Sequence, residues 1–181
     1  MDELKIWASL YKEIAELFTD NITAVEWLDL WHNQVGFLET QHPFPTPACF
    51  LAFRILQTTD FSRKAQELVV QMDVYYYYET FSDTFEGAYN QTDALEYLNT
   101  LSDIFNLMHG RSGEWFCECK RVGFGAVDTG SAGNLYKQTF TMVVQDTAAM
   151  DVITSAVPGD VTLSEGEKPE VEKNKPFFID G

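Results

Sequence analysis

The segment Leu68–Glu79, LVVQMDVYYYYE, constrains this chain most. β-branched and aromatic residues dominate it, and four consecutive tyrosines close it. Such side chains suit a pleated, half-buried surface, so the segment predicts a long strand. Alternation puts Leu68, Val70, Met72, Val74, Tyr76 and Tyr78 on one face, and Val69, Gln71, Asp73, Tyr75, Tyr77 and Glu79 on the other. The first face reads as core. The second mixes tyrosines with amide and carboxylate groups, a surface suited to polar contact. A central strand with one dry face and one tyrosine-rich face points to assembly more than to catalysis.

The chain has 181 residues, enough for one good core. Its 45% hydrophobic and 14% aromatic content argues for a folded body. No apolar run approaches the roughly 20 residues of a membrane helix. The N-terminus, MDELKIWASLYKE, has acids where a signal peptide needs bases, so the expected site of synthesis and residence is the cytosol. Three cysteines without regular spacing are not a disulfide framework, and reduced thiols are expected. Net charge is −16; Val157–Gly181 carries −3 of it, so −13 belongs to the remainder. A body this acidic lacks the basic footprint of a nucleic-acid binder. It suits either a plain soluble surface or a channel wall past which DNA slides without sticking.

Leu4, Trp7, Leu10, Tyr11, Ile14, Leu17 and Phe18 recur at helical steps, predicting a helix over Asp2–Phe18 that stops at Thr19-Asp20-Asn21. Ala24–Trp31 alternates as a strand. His32–Pro47, with prolines at 43, 45 and 47, reads as an extended arm or loop. Ala48–Leu56 is a second strand, Thr58–Lys64 a turn, and the tyrosine strand follows. Phe81–Asn90 is an aromatic-bearing loop. A second helix is predicted from an N-cap at Thr92, with Asp93 in its first turn, to a stop at Gly110. Trp115–Val122 and Leu135–Asp146 are further strands, joined by the glycine-rich loop GFGAVDTGSAGN. The fold class is therefore α+β: a mostly antiparallel sheet of about five strands with two main helices packed on one face. Residues 1–150 form one domain; residues 151–181, charged and ending on Phe177-Phe178-Ile179, read as an extended tail with an apolar anchor.

Candidate chemistry is sparse. Asp128-Thr129-Gly130-Ser131 resembles the active-site turn of aspartic proteases, which needs a second carboxylate from another copy of the turn. No second element in a protease-like order follows it. His32, His42 and His109 with Cys49, Cys117 and Cys119 lack metal-ligand spacing, so neither metal nor cofactor is expected. Phosphate-binding glycine motifs are missing. Trp7, Trp27 and Trp31 read as core. What remains is surface: Tyr75, Tyr77, Phe81, Phe85 and Tyr89 gather aromatics on and after one strand, as protein interfaces do.

Three segments carry a family resemblance: the N-terminal helix leading into VEWLDLWHNQ; FPTPACFLAF; and QMDVYYYYETFSDTFEGAYNQTDALEYLNTLSDIFNLMHG followed by RVGFGAVDTGSAGNLYKQTFTMVVQD. Over residues 1–150 the chain resembles tail-completion and head–tail connector proteins of phages and prophages of Bacteroidetes hosts, and is similar in organisation to tail terminators. The resemblance implies a non-enzymatic virion protein, made in the host cytoplasm. It implies a homo-oligomeric ring of six or twelve copies at the neck or tail, contacting neck, portal or tail proteins, with DNA passing through its lumen and no membrane. Tyr75, Tyr77, Phe177 and Phe178 are the expected subunit contacts. The alternatives are a phage-encoded aspartic protease using Asp128 and a cytosolic module that binds a peptide along a strand edge.

Overall fold

The computed structural model describes residues 5–37, 43–79, 82–128, 134–147 and 149. The expected tail, residues 151–181, lies outside them. The order is α1 (Ile6–Asn21), β1 (Trp27–Leu30), a 3-10 turn (Gln34–Phe37), β2 (Ala48–Ser62), β3 (Ala65–Tyr78), α2 (Gln91–Met108), β4 (Cys117–Val127) and β5 (Asn134–Asp146). One sheet runs β1-β2-β3-β5-β4, antiparallel throughout except for the parallel β1–β2 pair. The α+β expectation holds, with the tyrosine strand at its centre.

Both helices cover one face. Ile6, Leu10, Ile14 and Phe18 of α1, and Leu101, Ile104 and Met108 of α2, join Leu68, Val70, Met72, Val74, Tyr76 and Tyr78 in a single core. That set is the first face of β3 as alternation predicts it. Phe140, Met142 and Val144 extend the layer across β5. Gln138 is fully buried there; its amide donates to the Leu101 carbonyl at 2.7 Å and its oxygen accepts from Arg121 at 3.1 Å. A polar group so placed ties α2 to the sheet and leaves no unsatisfied atom.

The boundaries differ from the sequence expectations for identifiable reasons. α1 runs through Thr19-Asp20-Asn21, because Thr19 and Asn21 bond back to the Ala15 and Leu17 carbonyls and so stay helical. Its buried stripe contains Ile6 rather than Trp7, which is 37% exposed and lies against Phe53. Trp27 is 41% exposed, so neither tryptophan is core. α2 begins at Gln91, with Asn90 at the cap in place of Thr92 and no side-chain cap bond. Gly110, at φ 80°, ends that helix as expected.

The expected turn Thr58–Lys64 shrinks to Arg63-Lys64, because β2 continues through Ser62 in register with β3 down to Ala65. Likewise β4 runs through Gly123–Val127, so the first five residues of the predicted glycine-rich loop are strand. At the other end of β4, Glu118 has φ 55° and sits in a bulge between Cys117 and Lys120. Strict alternation would place Cys117 and Cys119 on the same face. The extra residue breaks it, leaving Cys117 exposed and Cys119 buried in the core. Glu13, off the apolar stripe of α1, accepts from the Glu114 and Trp115 backbone at 2.6 and 3.0 Å and anchors the approach to β4. Gly113 permits this closeness: a Cβ there would run into the Glu13 carboxylate and Phe116.

Candidate assembly surfaces

The second face of β3 has no helix over it. A small separate cluster occupies one end: Val35, Ala48, Phe50, Tyr77 and Leu135, flanked by Trp31, Phe44, Tyr75 and Val127. Its cover is the segment after β1, brought over the sheet by the 3-10 turn. Gln34 holds that turn, donating to the Leu30 carbonyl at 2.6 Å and accepting from the His32 N–H at 2.9 Å. Tyr77 is 1% exposed, with Phe44 edge-on to its ring. Its hydroxyl donates to Glu79 at 2.8 Å, and burial followed by that bond pushes its pKa up. The ring expected to touch another subunit is thus buried within its own chain. Val35 and Phe44 of that chain pack around it. Tyr75 is half-buried, stacked on Trp31 with centroids 4.2 Å apart, and its pKa is raised by burial and then by Asp73. Phe177 and Phe178 lie outside the described residues.

Beyond this cluster the face is polar and ordered by side-chain bonds across and along the strands. Arg54 donates to Gln71 at 2.8 Å, Gln71 to both Asp73 oxygens at 3.1 Å, and Thr139 to Asp73 at 2.7 Å. The Lys137 ammonium is 3.8 Å from Asp73. Cross-strand pairs of this kind fix the register of a bare sheet face.

The sheet also has two unlike open edges. β1 covers only Ala48–Leu51 of β2, so no described strand pairs the outer edge of Ala52–Ser62. That stretch exposes Ile55 at 45%, Leu56 at 48% and Phe61 at 55%. On the far side, Gly110, Arg111 and His109 bond the outer edge of β4 at Cys119 and Arg121, and no described strand pairs the rest, which exposes Val122 at 61% and Phe124 at 54%. Long, apolar, unpaired edges are templates for association. Sequence reasoning missed the first edge because it ended β2 at Leu56. Ile55, Leu56 and Phe61 flank the polar stretch Gln57–Asp60, which reads as a turn by composition.

The remaining candidates do not converge. Asp128 follows the last residue of β4, while Thr129–Ser131 lie outside the described residues. Among the described residues, no group of three or more His, Cys, Asp or Glu side chains could hold a metal ion. His32 bonds with Gln34 in the cover, and His109 accepts the Arg121 N–H at the end of α2. Cys49 and Cys119 are buried in the helix-face core, and burial raises both thiols, Cys119 to about 12. One cluster went unforeseen: Tyr76, Tyr78, Tyr97 and Tyr136 stack in sequence across the α2–sheet junction, with Tyr78 and Tyr97 centroids 4.3 Å apart. A cavity of about 300 Å³ opens beside it, lined also by Glu79, Asp93 and Glu96.

No family model and no curated protein matches the sequence. Among solved structures, a chain of the "Virion of native gene transfer agent (GTA) particle" is similar at 9% identity and a TM-score of 0.39, over 78% of this chain and 92% of that one. A likeness at that score leaves fold and function to be argued from the chain itself. No described helix is long and apolar enough to cross a membrane.

Proposed function

We propose that this chain is a structural protein of a phage-like virion: a non-catalytic subunit, with residues 1–150 as its assembling domain, that closes head to tail into a ring at the neck or tail. The observation that carries the ring is the pair of open edges on opposite sides of one sheet. Because the edges differ, contact between them is heterologous, and heterologous contacts close into rings when the rotation fits. Placement in a virion rests on the resemblance of the segments within residues 1–150 to tail-completion and connector proteins. The net charge of −16 fits a particle component past which DNA moves without adhering. Tyr75, capped by Trp31 at one end of the open face, and the terminal Phe177-Phe178 pair are contacts to neighbouring subunits or rings in this reading.

Native mass spectrometry and negative-stain images of the purified protein test it. A closed ring of six or twelve copies is expected, together with recovery of the chain from particles by mass spectrometry. Protein that stays monomeric at high concentration and is missing from particles sinks the proposal. The same edges also suit a peptide-binding module; a one-to-one complex with an extended peptide, in place of a ring, would favour that reading.

A further inference from the structure

We infer that Tyr89 of one copy seats in the aromatic cavity beside β1 of the next. The inference deepens the ring reading by naming one contact between copies. Two features that the fold leaves unused carry it. The first is Tyr89 itself, 97% exposed in the loop between β3 and α2. A ring so exposed packs nothing in its own protomer, and tyrosine is among the residues that anchor interfaces. The loop holds it out in a defined way. The Gln91 side-chain amide donates to the Thr84 carbonyl at 3.4 Å and to Glu86 at 3.2 Å. The Ala88 N–H donates to the Phe85 carbonyl at 3.1 Å, and the Asp83 N–H to Asn90 at 3.3 Å. Gly87, at φ 89°, supplies the left-handed residue this reversal needs. A side chain carried on a braced loop loses less entropy on docking than one on a loose chain.

The second feature is a cavity of about 380 Å³ walled by Trp27, Pro43, Phe44 and Phe50. Phe50 is fully buried, Phe44 is edge-on to it with centroids 5.1 Å apart, and Trp27 is 41% exposed. A cavity of that size admits a phenol ring. Asp29 and His32 add polar groups to the lining. The Leu30 N–H occupies Oδ1 of Asp29, which leaves Oδ2 to accept. Gln34 sets the tautomer of His32. Its oxygen takes the His32 backbone N–H and its amide donates to the Leu30 carbonyl, so the amide also meets Nδ1, at 3.2 Å, as a donor. Nδ1 is then the acceptor, and Nε2 carries the proton. One acceptor and one donor among aromatic walls suit a hydroxyl on an aromatic body, which is the chemistry of tyrosine. The cavity lies against β1, at one margin of the sheet. The loop leads into α2, whose Leu101 and Tyr97 meet Gln138 and Tyr136 of β5 on the other side of β3. Contact between two such unlike surfaces is head to tail, as a ring requires.

Variants of the full chain test the seat, with self-association followed by sedimentation over a concentration series. Tyr89→Ala should weaken association at least about tenfold and leave chemical denaturation of the protomer unchanged. Tyr89→Phe keeps the ring, loses the hydroxyl and should weaken it about threefold. Trp27→Ala should weaken association as well, and His32→Ala serves where that variant does not fold. The Tyr89→Ala, Trp27→Ala double variant should be no weaker than the weaker single one, since both remove the same contact. Mixing exploits the head-to-tail geometry: Tyr89→Ala protein keeps an intact cavity, and Trp27→Ala protein keeps its tyrosine. An equimolar mixture should associate more strongly than either variant alone, with species containing both by native mass spectrometry. Rings undiminished by Tyr89→Ala overturn the seat and leave the ring standing. Losses with Tyr89→Ala but none with Trp27→Ala or His32→Ala overturn it too, because the tyrosine then docks elsewhere. So does a mixture no stronger than its components, which indicates Tyr89 pairing with itself. Dimers or open chains that show the whole expected pattern keep the seat and remove the ring. A monomeric wild type removes both.

Discussion

The two faces of one sheet are stabilised by different means. The helix-covered face is continuous and dry: Met72, Val74 and Phe140 are at most 1% exposed beneath the two helices. The open face is dry only at one end, where Trp31 and Phe44 lie over Tyr75, Tyr77 and Phe50. Elsewhere it is a hydrogen-bonded polar ladder. The first face sets whether the protomer folds. The second is inexpensive to alter and is available for contact. This difference separates stability from assembly within a single strand, β3, whose alternate residues serve each.

The comparison breaks first if truncation costs the same on both faces. Phe140→Ala should lower unfolding free energy by about 3–5 kcal/mol, because a fully buried ring leaves a cavity between sheet and helices. Trp31→Ala, on the small cluster, should cost only about 1–2 kcal/mol, because that ring is half-buried and solvent can refill part of the space. Chemical denaturation of the two variants measures the gap. Equal losses would mean that the cover over Tyr75 and Tyr77 is as much core as the helix layer.

Much of this contrast is legible in the sequence. Alternation across Leu68–Tyr78 identifies the buried face residue by residue, because two helices cover that whole face and leave it no exposed position. Tyr77 was not legible. Its ring reads as surface by period, and only the chain reversal after β1, held by Gln34, brings a cover over it. Nor was the extent of β2 legible, since Gln57-Thr58-Thr59-Asp60 is polar enough to look like a turn and is strand only because β3 stays in register alongside it. The Cys117–Cys119 pair shows a limit of alternation: strict period puts both thiols on one face, and the extra residue of the bulge at Glu118 leaves one exposed and one buried.

Alkali should act on both faces, since Tyr75 and Tyr77 of the open face are raised as well, with the helix-side thiols titrating first. On the helix side, burial raises Tyr76, burial and the bond to Tyr97 raise Tyr78, and the bond to Tyr97 followed by burial raises Tyr136. Burial moves the Cys119 thiol from its ordinary 9.0 to about 12. A raised folded-state pKa favours the protonated form. Its stability contribution is complete below the unfolded pKa and is lost as pH rises through the folded one. Denaturation midpoints should therefore hold from pH 7 to about 9 and fall progressively above it, from the thiols first and the tyrosines next. Cys119→Ala should remove the earliest part of that fall; an unchanged profile would show that the thiol is not protected by burial. Thiol labelling gives the matching contrast: in native protein Cys117 should react quickly, with Cys49 and Cys119 reacting only on unfolding.

The smallest expected effect falls on the polar ladder. Asp73 accepts from Gln71 and Thr139 and faces Lys137, yet it sits on a face with no layer above it. Water can replace any bond lost there, so Asp73→Asn should cost about 0.5–1 kcal/mol. The variant keeps an oxygen for Thr139 but sets an amide against the Gln71 amide or the Lys137 ammonium, so the local order should loosen before stability falls. If Asp73→Asn costs as much as Phe140→Ala, the open face is buried in solution by a neighbouring molecule. Repeating the measurement well below the concentration at which copies associate would then bring the cost back to the small value, which distinguishes a face covered by assembly from one covered by its own chain.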